Sequence, residues 1–404
     1  MAESKEGIRV LYVCPWAHLA GHWPHIAIKE TTALLKAGVV VSLCTFRGIL
    51  DEKEPPAIPH RKVLSGWSSF PLDVLIRSLN FIPKGRIIAR LLEAIATLFL
   101  AVKLKSSLRY HVLYLREGDP YIFLPFLFGL FLKDYRWVVF LIGVMRRMDY
   151  KFSTSPIWKP IYRRSLSRNR YAFICQNSYV EDSFQRGFLD GILSETMTSV
   201  LFAAEETSSY IPQEEARQYL SLPQGKVILL HFGVLHPGKD IKTVLAAIRD
   251  TPDVLLIHAG KVKSTVYLKG LVRHYGLQNR VIIKGYYIPE AEKPYYFASA
   301  DGVILSYKKD FMRTASMLWE TASFRVPAIA SDSGELGELV NRCQTGLVFK
   351  AEDATSLKET LSHFLTLSQS QKKTMISNCE KFCDEFSLDG WAQKCQEIFK
   401  GLCG

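Results

Sequence analysis

Two short segments hold side chains able to manage an anionic leaving group. In His231-Phe-Gly-Val-Leu-His-Pro-Gly-Lys-Asp240, Gly233 lets a ligand approach the backbone, while His236 and Lys239 stand three apart in a loop that opens onto a predicted helix. Helix-terminal N–H groups and a lysine point charge together suit a diphosphate. An ordinary glycine–proline turn with an exposed lysine accounts for the same residues equally well. The second segment, Thr314-Ala-Ser-Met-Leu-Trp-Glu320, places small residues at Ala315 and Ser316 at the start of a helix and Glu320 one turn inside it. Its first amides could face phosphate, and a carboxylate there holds ribose hydroxyls well. Leu318, Trp319 and Ala322 around Glu320 are an unusual setting for a purely solvating charge.

The elements that must position these residues are legible as apolar, β-rich runs alternating with helical segments, which predicts parallel βαβ units and an α/β class. Ile8–Cys14 reads as a fully buried strand, Ile26–Lys36 as a helix closed by Gly38, and Val39–Thr45 as the next strand. Further strands are expected at His111–Leu115, Arg136–Ile142 and Tyr171–Cys175. The polar stretch Glu205–Gln218 reads as a linker. A second series follows it, with strands at Val227–Phe232, Val254–Ala259, Val281–Lys284, Gly302–Ser306 and Ala328–Ser331. Two doubly wound domains in tandem imply a cleft faced by the carboxyl ends of both sheets. Neither first turn carries GxGxxG, which argues against a nicotinamide or flavin enzyme.

The chain has 404 residues and a formal charge of +12. The excess is local, because residues 1–200 hold 27 basic against 16 acidic side chains and residues 201–404 hold 24 against 23. Such a half attracts phosphates, nucleic acid or an anionic membrane surface. Nucleic acid is disfavoured, since the aromatics form no stacking stripe among the basic residues. The eight cysteines are scattered without a zinc-like pattern, and the apolar runs Tyr121–Leu132 and Trp137–Met145 fall short of a membrane span. The N-terminus lacks the apolar region of a signal peptide, so a cytoplasmic protein is expected, with peripheral membrane attachment as a further expectation.

Residues from about 225 to 365 resemble the nucleotide-sugar-binding domain of the GT-B glycosyltransferases, in particular the large retaining family four. The resemblance is carried by Phe232-Gly-Val-Leu-His-Pro-Gly-Lys239, Leu256-Ile-His-Ala-Gly260, the run Leu277 to Pro289, Ala300-Asp-Gly-Val-Ile-Leu-Ser-Tyr307, Glu320 to Ser331, Gly334 to Val340 and Gly346-Leu-Val-Phe. It implies an α/β, GT-B fold of two Rossmann-like domains facing across a cleft. Domains are expected at 1–210 for the acceptor, 211–385 for the donor, and 386–404 as a helix packing back on the first domain.

The resemblance also implies roles. Lys239, His236 and Glu320 form the catalytic set, with Lys239 and a protonated His236 stabilising the departing diphosphate and Glu320 holding ribose. Gly233, Ser316, Met317 and Leu318 contact the diphosphate, and the backbone of Tyr286, Tyr287 and Ile288 frames the base. Gly21 falls at the glycine loop near the acceptor, and His22, Arg116 and Glu117 in the loops of the first domain, with Arg146 of its basic half, are assigned to the acceptor side from their own placement. The implied activity is hexosyl transfer from a UDP- or GDP-sugar to a glycan or lipid-linked acceptor, with retention and no metal or other cofactor.

Three departures from the family pattern stand out: Met312 replaces a sugar-holding glutamate, His236 an arginine, and Arg325 a glycine. A nucleotide-sugar 2-epimerase and a catalytically silent partner subunit are the alternatives of the same fold. The segment 67–109 combines Arg77, Lys84, Arg86, Arg90, Lys103, Lys105 and Arg109 with long apolar faces. It reads either as a membrane-surface helix or as a core helix with solvated arginines.

Overall fold

The computed structural model describes residues 7–17, 23–47, 58–63, 70–80, 82, 85–116, 121–141, 155–187, 197–200, 210–312 and 315–404. The chain divides into two compact units, Met1–Phe202 with Leu388–Gly404, and Ala203–Ser387.

The first unit is built on a seven-stranded parallel sheet. Its strands are β1 (Arg9–Val13), β2 (Val40–Thr45), β3 (His60–Lys62), β4 (Val112–Leu115), β5 (Arg136–Leu141), β6 (Arg170–Cys175) and β7 (Met197–Val200), in spatial order β3-β2-β1-β4-β5-β6-β7. Alternate residues of each strand enter opposite layers. Leu11, Val13, Leu113, Trp137, Val139 and Phe173 join one core, and Val10, Tyr12, Val112, Val138, Phe140 and Ile174 the other. This two-sided burial explains why the strands read as continuous apolar runs. The second layer is closed by the last helix, Leu388–Cys403, through Trp391, Cys395, Phe399 and Leu402. Their spacing of three to four residues places them on one helical face.

The second unit holds β8 (Val227–Phe232), β9 (Val254–Ala259), β10 (Val281–Lys284), β11 (Gly302–Leu305), β12 (Ala328–Ser331) and β13 (Gly346–Phe349), all parallel, in order β10-β9-β8-β11-β12-β13. Both units are therefore Rossmann-like and reverse strand order beside their first strand, where ligands of such sheets bind.

Several elements depart from the sequence reading. Strands β3, β7 and β13 lie at sheet edges, and β3 and β7 carry too little apolar patterning to stand out. The polar stretch expected as a linker contains the helix Gln213–Tyr219. Buried Arg217 explains it, because its guanidinium donates to the carbonyls of Ser299, Gln224 and Lys226 and pairs with Asp301 at 2.9 Å. That clasp fixes a polar helix that propensity alone would leave marginal. Arg325 sits at φ 58°, the left-handed conformation that favours glycine, and its side chain pairs with Glu380 at 2.8 Å.

Candidate active site

At the end of β8 the chain turns at Gly233, whose φ is 85°. Beside it, the turn after β9 uses Gly260 at φ 151°, and a Cβ there would lie 2.2 Å from the Gly233 carbonyl oxygen. Only glycine permits two backbones this close. A Cβ on Gly233 would stand 3.4 Å from the Lys239 ammonium nitrogen and 3.5 Å from the Met317 sulfur. The two segments singled out by sequence thus meet at one backbone turn, although Gly233 and Met317 are 84 positions apart.

Lys239 is 9% exposed, and its Nζ donates to the Phe232 carbonyl at 2.5 Å. Burial lowers its pKa to about 8, partly opposed by the negative charge of Glu320. Removal from water disfavours the charged form, so Lys239 is an ammonium that loses its proton readily as pH rises. The same Glu320 charge acts on Tyr307 and Tyr287, which places the carboxylate within electrostatic reach of the lysine, the β11 end and the 286–288 loop.

Two details change the expected chemistry. The helix Ile241–Arg249 that follows the loop is capped by Asp240, whose carboxylate accepts from the Thr243 amide at 3.3 Å and from the Thr243 hydroxyl at 2.5 Å. The Asp240 carboxylate takes up the Thr243 amide and places a negative charge at that positive helix end, which opposes an anion there. His236 Nδ1 accepts from the Gly238 amide at 3.1 Å. The neutral ring therefore carries its proton on Nε2, and protonating Nδ1, as the expected imidazolium requires, would break the turn.

Beneath the loop, His231 and His258 face each other across the β8–β9 register with Nδ1 atoms 2.9 Å apart. His258 Nε2–H donates to the Gly260 carbonyl at 3.1 Å, so its Nδ1 accepts from His231. Burial and then the Lys239 charge hold both rings neutral, with the His258 pKa lowered to about 4 and that of His231 well below its usual value.

At the second segment, Ser316 opens the helix Met317–Ser323. The Leu318 amide donates to the Ala315 carbonyl at 2.8 Å, so that amide is engaged within the turn. Tyr286 and Tyr287 are exposed and Ile288 is buried. Met312, in place of the expected glutamate, packs at Gly334, with its sulfur 3.7 Å from where a Cβ would stand.

On the acceptor side, Gly21, His22, Glu117 and Arg146 lie outside the described residues. Arg116 is described and corrects its expected role. It is 2% exposed, its Nε lies 3.0 Å from both oxygens of Glu30, and its guanidinium sits 3.9 Å over the Phe140 ring. Tyr12 donates to the same Glu30 carboxylate at 2.5 Å. Turned into the core, Arg116 ties the helix Trp23–Lys36 to the end of β4 instead of reaching an acceptor.

Sequence reasoning missed the histidine pair and Lys293, whose Nζ lies 2.7 Å from Glu290 and 3.6 Å from Glu320. The pair could have been found by aligning the last residues of β8 and β9. No local pattern marks Lys293.

Tandem parallel Rossmann-like units, with glycine turns and charged groups gathered at the strand ends of the second, make up the GT-B architecture. Residues 212–382, nearly all of the second unit, match the family glycosyl transferases group 1. The chain is similar in structure to a glycosyltransferase from Rickettsia africae (TM-score 0.74, 15% identity, 98% of each chain covered). It is similar also to sucrose-phosphate synthase from Thermosynechococcus elongatus (TM-score 0.69, 17% identity, covering 98% of this chain and 99% of that one). A third similar structure is HepE from Anabaena in complex with UDP and glucose (TM-score 0.70, 16% identity, covering 98% and 100%). At such identities these likenesses speak for the fold. No curated protein matches the chain by sequence.

Proposed function

We propose that the second unit binds a nucleoside diphosphate sugar at Gly233, Lys239, Met317 and Glu320, and that the sugar passes to an acceptor hydroxyl with retention of configuration. The observation that carries this reading is the convergence of the Lys239 ammonium, the Gly233 turn and the Met317 helix start in one small volume. A lysine cation and the His236 Nε2–H can take up the charge that develops on a departing diphosphate. These positive groups replace a divalent ion, so the reading requires no metal. Glu320 holds the ribose. That HepE was solved with UDP and with UDP-glucose supports a uridine donor over a guanosine one. Isothermal titration with UDP, GDP and ADP tests the site. One nucleotide should bind in the micromolar range, and Glu320→Ala should weaken it at least tenfold. No binding by any of the three would sink the reading. Incubation with donor alone separates transfer from 2-epimerisation, since only an epimerase changes the sugar without an acceptor.

The acceptor is lipid-linked or presented at an anionic membrane. Among the described residues no helix is long and apolar enough to cross a membrane. The helices Phe70–Leu79 and Gly85–Leu108 nevertheless expose Val74, Leu75, Ile87, Ile88, Ile95 and Phe99 beside exposed Arg77, Arg86 and Lys103. Their two acidic residues are withdrawn, Asp73 into pairs with Arg47 and Arg77 and Glu93 into the core. An apolar face with a basic rim and no exposed carboxylate suits the headgroup boundary, at roughly 1 kcal/mol for each basic residue near the surface. Co-sedimentation with phosphatidylserine vesicles at low salt should recover the protein. Charge reversal at Arg77, Arg86 and Lys103 should release it, and unchanged recovery counts against the proposal.

A further inference from the structure

Around Glu320 the side chains form an ordered polar chain. The Tyr287 hydroxyl donates to Glu290 Oε1 at 3.4 Å, Lys293 Nζ lies 2.7 Å from Glu290 Oε2, and the same ammonium stands 3.6 Å from Glu320 Oε2. Lys293 is 17% exposed and Glu320 23%, so the pair is largely shielded, whereas Glu290 is 54% exposed. The backbone sets this spacing. Pro289 accepts from the amides of Glu292 and Lys293 at 2.9 and 3.1 Å, and the tight turn brings Lys293 back under the loop that holds Tyr286 and Tyr287.

The distances give the two carboxylates different relations to the lysine. At 2.7 Å Glu290 takes a charge-assisted hydrogen bond, while at 3.6 Å Glu320 feels the ammonium as a charge without a hydrogen bond. Lys293 thus acts on the Glu320 carboxylate as a neighbouring charge and not through a hydrogen bond. It also links that carboxylate to the 286–288 loop.

We infer that Lys293 is a positioning residue for recognition of the donor's ribose: it aims Glu320 at the ribose hydroxyls and couples that contact to the loop that frames the base. The inference rests on the proposed role of Glu320. A site built to hydrogen-bond a hydroxyl discriminates strongly against the analogue that lacks it, because the buried partner is then left unpaired. If Lys293 sets the aim of Glu320, its loss should erode that discrimination and not merely weaken binding.

The test compares affinities for UDP, GDP and ADP, and for the 2′-deoxy form of whichever binds best, in the wild type, Lys293→Met, Lys293→Arg and Glu320→Gln. The wild type should prefer the ribonucleotide by about tenfold or more. Lys293→Met should bring the ratio within about threefold, and Lys293→Arg should restore most of it because a cation is again present. Equal weakening of both ligands in Lys293→Met, or no change, overturns the inference, since a merely structural lysine would act in that way. If Glu320→Gln collapses the ratio while Lys293→Met does not, Lys293 alone loses its role. If Glu320→Gln also leaves the ratio intact, the ribose assignment of Glu320 fails, and the inference with it.

Discussion

Replacing Lys239 by methionine is expected to lower kcat/KM about 10²–10³-fold, the usual cost of losing one group that stabilises developing anionic charge. Methionine keeps the buried stem packed among the β8 and β11 ends while removing the ammonium, so thermal unfolding should change far less than activity. The wild-type pH profile carries a second, independent signature. Burial lowers the Lys239 pKa to about 8, so the charged form is lost as pH rises through that value. The kcat/KM of the free enzyme should accordingly fall on the alkaline side with a limb near pH 8. In Lys239→Arg the limb should disappear, because a guanidinium does not titrate in this range. Near-wild-type turnover in Lys239→Met, or an alkaline limb that persists in Lys239→Arg, would refute the role of this lysine.

Arg116→Met is expected to destabilise the first unit by about 3–5 kcal/mol, the range found when one partner of a buried ion pair is removed. The reason lies in what remains. Glu30 is 2% exposed, and without the guanidinium its carboxylate would keep only the Tyr12 hydroxyl as a compensating partner among those described above. A double variant, Glu30→Leu with Arg116→Met, should recover much of the loss at neutral pH, since apolar replacement of a whole buried pair is often near neutral. Chemical denaturation read at the tryptophans checks both. A loss under 1 kcal/mol for Arg116→Met would show that the pair contributes little, and a double variant no better than the single would point to packing in place of charge.

Much of the fold was legible because both sheets are buried on two faces. Runs such as Val10-Leu-Tyr-Val13 and Val227-Ile-Leu-Leu230 have no polar residue to interrupt them, so strand positions and the α/β class follow from the sequence. Edge strands escaped for the opposite reason. β3, His60-Arg-Lys62, has a solvent-facing side and reads as polar coil until pairing with β2 defines it. The helix Gln213–Tyr219 was hidden likewise, because it depends on the Arg217 clasp to carbonyls up to 82 residues away.

In the candidate site, residue types were readable and their partners were not. Gly233, Lys239 and Glu320 stand in segments whose composition already suggests a phosphate and a ribose. Asp240 lies in the same segment, and its spacing to Thr243 is a helix-capping signal that weighs against an anion at that helix end. Arg116 misled for a related reason. An arginine just past a strand of an open α/β sheet has the address of a ligand contact, and only the position of Glu30 on a different element shows that its charge is already spoken for.

The sequence by itself determined the class of fold, the order of the elements and the identity of the chemically able side chains, because these depend on periodicity, turn chemistry and residue type, all local properties. Only the tertiary structure decided which charges meet. It buried Lys239 against the Phe232 carbonyl, paired His231 with His258 across β8 and β9, set Lys293 beside Glu320 and closed Arg116 onto Glu30. Electrostatic effects depend on distance and desolvation, and neither quantity exists for two residues until the chain has brought them together.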